Sequence, residues 1–230
     1  MMRKKPMLAY PVSDKPIDYT KPVFIQPKLD GVRCLIQYER HTQPREDVVV
    51  AYSRTGKVWK NINHILEQLK PFFQKYPDMI LDGELYNHAF KDDFESIISM
   101  VRKQKPTTQD RLKSAENVQF HCYDIVDEKL PFEQRIDFIN DSLMLLGNSI
   151  YIVATTKGIC SEDQAKAMHQ MNLNTGYEGS IVRTNDTYAC KRSHNLRKFK
   201  DFSDAEATIV GYLDGKGKRT GTLGKFIMQD

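Results

Sequence analysis

The segment Lys28-Leu29-Asp30-Gly31-Val32-Arg33 combines residue types that could make a lysine reactive toward a phosphate. A lysine amine attacks an electrophile only when it is deprotonated, and partial burial or nearby cations favour that neutral form. Gly31 allows the backbone to turn, so that Lys28 can approach a phosphate closely. Because lysine, aspartate and glycine are also common in surface turns, this segment alone indicates a turn as readily as a nucleophile.

Three further segments could add groups that bind a nucleotide. Ser53-Arg54-Thr55-Gly56 supplies a cation on a tight turn, and Leu81-Asp82-Gly83-Glu84-Leu85 places two carboxylates inside an apolar strand. Unpaired charges are costly in apolar surroundings, so these carboxylates need partners. His121-Cys122-Tyr123-Asp124-Ile125 puts an aromatic ring into a buried strand, where it could stack against a base.

Two segments in the C-terminal half add charges of both signs. Glu178-Gly179-Ser180-Ile181-Val182-Arg183 begins a strand with a carboxylate. In Leu196-Arg197-Lys198-Phe199-Lys200 the strand alternation puts Lys198 and Lys200 on one face, where they repel each other unless they meet an anion such as a triphosphate. Each segment alone could be an ordinary turn, core or solvated face. Their joint occurrence in this order favours one shared site.

Short strands and turns must position these residues, with helices between them. That composition favours an α+β fold with largely antiparallel sheets over a doubly wound parallel sheet. Strands are predicted at 23–26, 32–38, 48–52, 79–86 (interrupted at 82–84), 118–126, 151–154, 179–183 and 196–202. Helices are predicted at 61–76 (broken or bent at Pro71), 92–102, 132–146 and 161–171 (N-capped by Ser161), with a loop or frayed helix at 102–113.

The pattern changes near Ala205. Residues 205–213 and 222–228 alternate as strands around a glycine-rich turn at 214–218. A single hairpin cannot bury a core of its own, so we expect a second domain that has only begun at this point. The predicted division is 1–203 and 204–230.

Composition excludes several classes of protein. The chain has 230 residues, a net charge of +4 and ordinary apolar content, which permits an anionic partner without requiring one. The four cysteines form no CxxC pair, which argues against a zinc site and a disulfide framework. Because neither a signal peptide nor a membrane-length apolar run is visible, an intracellular, soluble protein is expected, cytoplasmic or nucleoid-associated, or virus-encoded within a host cell.

In sequence order, these segments resemble the motifs of the covalent nucleotidyltransferases, which include ATP-dependent DNA ligases, RNA ligases and mRNA-capping enzymes. The resemblance covers residues 28–200. It is closest to the DNA ligases: the first motif keeps Asp30 and Arg33, the fourth begins with Glu178, and the last reads Lys198-Phe199-Lys200. The resemblance implies an adenylation domain of antiparallel sheets flanked by helices, followed by the beginning of an OB-fold β-barrel.

The resemblance also implies roles for individual residues in binding ATP. Lys28 would carry AMP as a phosphoramidate, Glu84 would bind the ribose and Tyr123 would stack on adenine. The main chain near Gln26 and Pro27 would read the adenine edge. Lys198 and Lys200 would neutralise the α-phosphate as it is attacked.

The remaining implied roles concern the metal and the nick. Glu178, with Asp30, would hold Mg²⁺ through hard oxygen ligands. Arg54 and Arg33 would bind the phosphates of ATP and DNA, and Arg54 would contact the 5′-phosphate of the nick. Ser53 and Asp82 are weaker candidates for a supporting role in the site. The partner would be nicked duplex DNA with a 5′-phosphate and a 3′-hydroxyl, and a monomer without membrane contact is expected. Further candidate phosphate contacts are Arg102, Lys103, Lys105, Arg111, Lys113, Lys216, Lys218 and Arg219.

Two alternative functions remain open, and the sequence departs from the family pattern at one point. The chain could be an RNA ligase or RNA-capping guanylyltransferase, or a non-catalytic nucleic-acid-binding module on a decayed transferase scaffold. The retained carboxylates and lysines argue against decay. The departure is that the sequence stops at Asp230, before the final basic motif that orients pyrophosphate in the family. We therefore expect the chain alone to bind adenylate but to adenylate itself slowly.

Overall fold

The computed structural model describes residues 4–40, 48–144, 146–200 and 207–229, and only the backbone of Lys218. It divides the chain into two compact units, residues 1–200 and 201–230. The strands are β1 (Leu8–Pro11), β2 (Val23–Lys28), β3 (Val32–Glu39), β4 (Val48–Tyr52), β5 (Ile80–Tyr86), β6 (Gln119–Ile125), β7 (Ile150–Ile152), β8 (Gly179–Thr184), β9 (Arg192–Phe199), β10 (Thr208–Asp214) and β11 (Leu223–Gln229). The helices are α1 (Asn63–Lys75), α2 (Phe94–Val101), α3 (Thr108–Asn117), α4 (Phe132–Leu143) and α5 (Glu162–Asn174).

Two sheets form the first unit. Within the described residues, one sheet has four strands in the order β1-β9-β8-β2, and the other has five in the order β4-β3-β5-β6-β7. Most neighbours are antiparallel, whereas β1 runs parallel to β9 and β7 runs parallel to β6. The α+β fold with largely antiparallel sheets is therefore confirmed.

Apolar faces of the helices cover the five-stranded sheet. Helix α1 buries Ile65, Leu69, Phe72 and Phe73 in a core that also contains Phe120 of β6. The three- and four-residue spacing of these side chains is the period that places them on one face of the helix. A smaller cluster around Val23, Ile25 and Val182 joins the four-stranded sheet to α5. None of the helices in the described ranges is long and apolar enough to cross a bilayer.

The second unit contains a β-hairpin. Strands β10 and β11 pair antiparallel, and a short 3₁₀ turn at Gly217–Arg219 lies between them. Apolar side chains on both strands are exposed, among them Tyr212 and Phe226. A two-stranded hairpin is only marginally stable in water, so these apolar side chains need packing partners that the hairpin itself does not supply.

Several element predictions were wrong for identifiable physical reasons. Of the two effects predicted at Pro71, a break does not occur: α1 continues to Lys75, because Pro71 and Glu67 are both exposed and water can bond the carbonyl that proline leaves without an amide partner. Strand β5 is continuous through residues 82–84, with a bulge between Asp82 and Gly83 against β6. Helix α3 occupies part of the predicted loop, because Thr107 and Asp110 form a reciprocal capping box.

Other differences concern strand limits. Strand β1 was not predicted, and β9 begins at Arg192 rather than at Leu196. Phe202 and Ala205, at the predicted ends of two strands, lie outside the described residues. Gly31 does separate β2 from β3, and Ser161 does cap α5 by accepting a hydrogen bond from the Gln164 amide.

A buried cluster of charges joins the two sheets. Asp124 of β6 is fully buried and accepts hydrogen bonds from Arg135 of α4 at 2.7 Å and from Arg183 of β8 at 2.5 Å. Arg183 and Asp124 belong to different sheets, so their ion pair fixes one sheet against the other. The two arginines bond both oxygens of this carboxylate, and Arg135 Nη1 also donates to the carbonyl oxygens of Leu130 and Asp186, so the buried charged groups keep hydrogen-bond partners.

We predict that Asp124→Asn lowers the free energy of unfolding by about 3–5 kcal/mol, because two buried guanidinium groups lose their counter-charge. Asp137→Asn is the matched control, since Asp137 pairs with Lys157 at 2.7 Å on the exposed side of α4. The control should lose less than about 1 kcal/mol. Urea denaturation measures both values. Equal losses for the two variants would contradict a special role of the buried carboxylate.

Candidate active site

Lys28 lies at the end of β2, where backbone pairing aligns it with Gly179 at the start of β8. The amide of Glu178 donates to the carbonyl of Lys28 at 3.2 Å, which places the glutamate side chain beside the lysine. Lys28 Nζ donates to Glu178 Oε2, and Lys200 Nζ donates to Oε1 at 2.7 Å. One carboxylate thus lies between two lysines, an arrangement that the sequence motifs did not predict.

The surroundings of these groups alter their protonation. Burial opposes ionisation of Glu178, but the hydrogen bonds from Lys200 and Lys28 outweigh it and lower the pKa of that carboxyl. Burial and the negative charge of Glu178 raise the pKa of Asp30. The two carboxyls are therefore electrostatically coupled across the lysine pair.

The adjoining turn brings the backbone very close to β5. A Cβ added to Gly31 would lie 2.5 Å from the carbonyl oxygen of Leu85 and 2.7 Å from Cγ of Glu84. Only glycine fits this approach without a backbone shift, because real side chains avoid contacts of that length. Gly31 therefore allows the loop after Lys28 to pack directly on the strand that carries Glu84.

The five-stranded sheet supplies a carboxylate and a ring. Tyr123 of β6 donates from its hydroxyl to Glu84 Oε2 of β5 at 3.2 Å. Burial raises the pKa of Glu84 to about 7, although Arg33 and Tyr123 act in the opposite direction. Burial also raises the pKa of Tyr123, so its hydroxyl keeps its proton. This pair can offer hydrogen bonds to a neutral, polar group such as a sugar hydroxyl.

Asp82 holds an arginine rather than facing the cavity. Its carboxylate accepts from Arg33 Nε at 2.6 Å and from the Tyr188 hydroxyl at 2.6 Å, and Asp82 is buried. The guanidinium carbon of Arg33 lies 5.1 Å from the centre of the Tyr123 ring. Asp82 is thus placed to support Arg33, whereas the sequence named it only as a weaker supporting candidate without a partner.

A cavity of about 340 Å³ collects most of the predicted residues. Of the residues proposed from the sequence, it is lined by Gln26, Pro27, Lys28, Asp30, Arg33, Arg54, Glu84, Tyr123 and Lys198. Glu178 and Lys200 do not line it: Glu178 adjoins it through its contact with Lys28, and Lys200 contacts Glu178. The volume is typical of a small-ligand site, and the lining joins apolar walls to charged side chains, most of them basic, which suits an anionic ligand.

Sequence reasoning missed several residues that line the cavity: Leu8, Ala9, Ile181, Arg183, Arg192 and Leu196. The alternation of β8 was a usable signal, because Gly179, Ile181 and Arg183 share one strand face. No local signal pointed to Leu8 and Ala9, since β1 reaches the cavity only by pairing with β9 at the other end of the chain.

A basic groove adjoins the cavity and shares Gly31, Arg33, Arg54 and Glu84 with it. Its volume is about 920 Å³, and its further lining includes Lys57, Trp59, Phe94, Ile98 and Arg102. Gly56, at a φ of 89°, closes the turn that projects the exposed Arg54 between the two spaces. A polyanion in this groove would reach the cavity at Arg54.

The other predicted phosphate contacts are scattered. Lys103 pairs with Asp110 at 3.4 Å, and Arg111 donates to the carbonyl of Lys60 at 3.4 Å. Lys105 and Lys113 are exposed outside the groove lining. Lys216 and Arg219 are exposed on the hairpin of the second unit, and the side chain of Lys218 lies outside the described residues.

Comparison with known proteins identifies the family. Residues 6–200 match the family described as the ATP dependent DNA ligase domain. The chain belongs to the ATP-dependent DNA ligase family. The DNA ligase of African swine fever virus (isolate Pig/Kenya/KEN-50/1950) is 28% identical over 214 residues, which cover 90% of this chain and 48% of the viral protein. The DNA ligase of Enterobacteria phage T4 is 25% identical over 247 residues, with coverage of 90% and 50%.

Solved ligase structures share the fold. A Lig E DNA ligase superposes with a TM-score of 0.72 at 22% identity, covering 99% of this chain and 80% of that one. The bacteriophage T7 ATP-dependent DNA ligase, solved in complex with ATP, superposes with a TM-score of 0.63 at 15% identity, covering 98% and 80%. This ligase chain spans about half the length of the curated relatives it matches.

The residues of this domain suit a magnesium ion whose coordination shell is completed by a substrate. Asp30 and Glu178 offer hard carboxylate oxygens on one rim, and no cluster of three or more acidic, histidine or cysteine side chains forms a metal cage within the described ranges. Mg²⁺ commonly binds through one or two carboxylates together with phosphates and water. Asp30 and Glu178 thus fit the implied ion as a partial ligand set.

We predict that Glu84→Gln becomes more stable relative to wild type as the pH rises from 5 to 8. Because burial raises the pKa of Glu84 from 4.5 to about 7, the folded protein keeps a proton that the unfolded chain loses in this window. Wild-type stability therefore falls through that range by at most about 3 kcal/mol, and the glutamine variant escapes this loss.

The measurement is urea denaturation at both pH values. Glu116→Gln on the exposed face of α3 is the control and should show no such difference. If the stability difference between Glu84→Gln and wild type stayed the same at pH 5 and pH 8, the raised pKa would be refuted.

Proposed function

We propose that this chain carries the adenylation part of an ATP-dependent DNA ligase that seals nicks in duplex DNA through a lysyl-AMP intermediate. The observation that carries the proposal is the shared carboxylate of Glu178, which contacts both Lys28 and Lys200 beside the cavity. Membership of the ligase family and the convergence of Glu84 and Tyr123 on the same cavity support it.

In the first step, Nζ of Lys28 attacks the α-phosphorus of ATP. An N–P bond forms, the P–O bond to the β-phosphate breaks, and pyrophosphate leaves. The ammonium group must lose one proton before it attacks and a second as the N–P bond forms, and Glu178 lies within hydrogen-bond reach of it. Lys198 and Lys200 oppose the negative charge that develops on the phosphate oxygens.

The nucleoside fits the other end of the cavity. Glu84 would accept or share hydrogen bonds with the ribose hydroxyls, and the Tyr123 ring would provide a face for adenine. Ile181 adds an apolar wall. The backbone near Gln26 and Pro27 remains the proposed reader of the adenine edge. Mg²⁺, held by Asp30 and Glu178 with the phosphates, would withdraw charge from the reacting phosphate.

In the later steps, AMP moves to the 5′-phosphate of a nick, and the 3′-hydroxyl then attacks that phosphate and expels AMP. Arg54 is the proposed 5′-phosphate contact, because it lies where the groove meets the cavity. Arg33 would assist from its place beside Tyr123. Contacts along the groove would go to the DNA backbone, since a ligase must act on any sequence.

We further propose that residues 204–230 begin an OB-fold domain that follows an adenylation domain at 1–203. The exposed apolar side chains of β10 and β11 support this, since further strands of a barrel would cover them. Lys216, Lys218 and Arg219 would then contact DNA from the turn of that hairpin. The proposed partner is nicked duplex DNA bound by a monomer inside the cell.

We predict that prolonged incubation with ATP and Mg²⁺ adds one AMP to the wild-type chain, as measured by intact-protein mass spectrometry. Lys28→Ala should carry no adduct, because it lacks the attacking nitrogen. Lys70→Ala is the control, since Lys70 is exposed on α1 and pairs with Glu67 at 2.5 Å. An adduct on Lys28→Ala, or its absence from wild type at saturating ATP, would refute the proposal.

We predict that Arg54→Ala weakens binding to a nicked duplex with a 5′-phosphate and reduces the slope of log affinity against log salt by about one. The lost charge would contact one phosphate. Arg40→Ala removes an exposed arginine that lines neither the cavity nor the groove and should leave the slope unchanged. Fluorescence anisotropy over a salt series measures both. Equal slopes for all three proteins would exclude Arg54 from the interface.

A further inference from the structure

The carboxamide of Gln26 is fixed in one orientation at the cavity. Its nitrogen donates to the carbonyl of Tyr123 at 3.2 Å and to the hydroxyl of Thr155 at 2.9 Å, and its oxygen accepts from Arg183 Nε at 2.7 Å. A guanidinium can only donate and a carbonyl can only accept, so the flipped amide would lose two of these bonds. The side chain is buried, with 1% of its surface exposed.

Arg183 joins this amide to the other sheet. Its Nη1 donates to Asp124 Oδ2 at 2.5 Å, and its guanidinium carbon lies 5.7 Å from the centre of the Tyr123 ring. Arg183 and Gln26 belong to the sheet that carries Lys28, whereas Tyr123 and Asp124 belong to the sheet that carries Glu84. One guanidinium therefore contacts both sides of the end of the cavity that holds Tyr123.

The lysine cluster lies apart from these contacts. Lys28 and Lys200 both contact Glu178, and none of the side-chain hydrogen bonds of these three residues in the described chain involves Arg183, Gln26 or Asp124. A change at Arg183 should therefore move the Tyr123 end of the cavity without altering the groups around the reacting phosphorus.

We propose that Arg183 is a positioning residue for purine binding. By holding Gln26 against the strand of Tyr123, it sets the spacing between the two walls that receive the base. The proposal rests on the proposed function only in naming adenine as the base. It assigns Arg183 no contact with the phosphates and no part in the transfer to Lys28.

The first test is equilibrium binding by calorimetry, with AMP and inorganic tripolyphosphate as probes. Arg183→Lys keeps the charge, but its single nitrogen cannot take the places of both Nε, which donates to Gln26, and Nη1, which donates to Asp124. We expect about a tenfold weaker affinity for AMP, as for the loss of a hydrogen bond to a charged group, and tripolyphosphate affinity within about twofold of wild type. Arg40→Lys, on an exposed arginine, should change neither.

The second test separates action through Gln26 from direct contact with the nucleotide. Gln26→Met removes the acceptor that Arg183 holds, so the double variant should bind AMP no more weakly than the worse single variant. If the losses of AMP affinity in the two single variants multiply in the double variant, Arg183 acts independently of Gln26. Thr155→Val removes one Gln26 contact without touching a charge, and about a threefold loss of AMP affinity is expected from it even if Arg183→Lys fails to fold.

The outcomes distinguish this inference from the proposed function. Arg183-dependent AMP binding without any lysyl-AMP would retain the positioning role and refute the ligase chemistry. If wild type forms lysyl-AMP while Arg183→Lys and Thr155→Val bind AMP with unchanged affinity, the ligase chemistry is retained and the positioning role is refuted. Equal losses for AMP and tripolyphosphate, or no AMP binding by wild type, would overturn the positioning role.

Discussion

The ion pair between Asp124 and Arg183 is the contact on which the arrangement of the site depends. It is buried, it spans two sheets, and Arg135 of α4 donates to the same carboxylate. Replacing such a cluster with apolar side chains need not reduce stability, but it would remove the directional bonds that define one spacing. Lys28 and the Tyr123 ring lie on different sheets, so their separation depends on this contact.

Charge balance explains the other end of the cavity. Three charged side chains, Lys28, Glu178 and Lys200, pack together because each carboxylate oxygen meets one lysine. A triphosphate could replace Glu178 as the partner of the lysines, since it offers more negative oxygens at the same place. Preorganised cations of this kind favour the charge that develops as a phosphoryl group is attacked. The site is thus polar and charged at one end, with a ring and a carboxyl of raised pKa at the other.

Much of the site could be predicted from residue types and order alone. The sequence placed Lys28, Glu84, Tyr123 and Lys198 in one site, and all four line one cavity, because strand alternation and charge in apolar runs are local signals. Arg183 and β1 were missed, because their significance arises from pairing across more than a hundred residues. Helix α3 was read as a loop or frayed helix, since its polar composition hides the capping box at Thr107. Roles toward ATP, metal and DNA stay predictions.

The central claim is that one cavity holds AMP on Lys28 with its base against Tyr123. A crystal structure of the chain after incubation with ATP and Mg²⁺ tests it most directly. The account predicts continuous density from Nζ of Lys28 to phosphorus, the ribose at Glu84 and adenine between Tyr123 and Ile181. Adenylate bonded to another residue, or a base bound away from Tyr123, would contradict it.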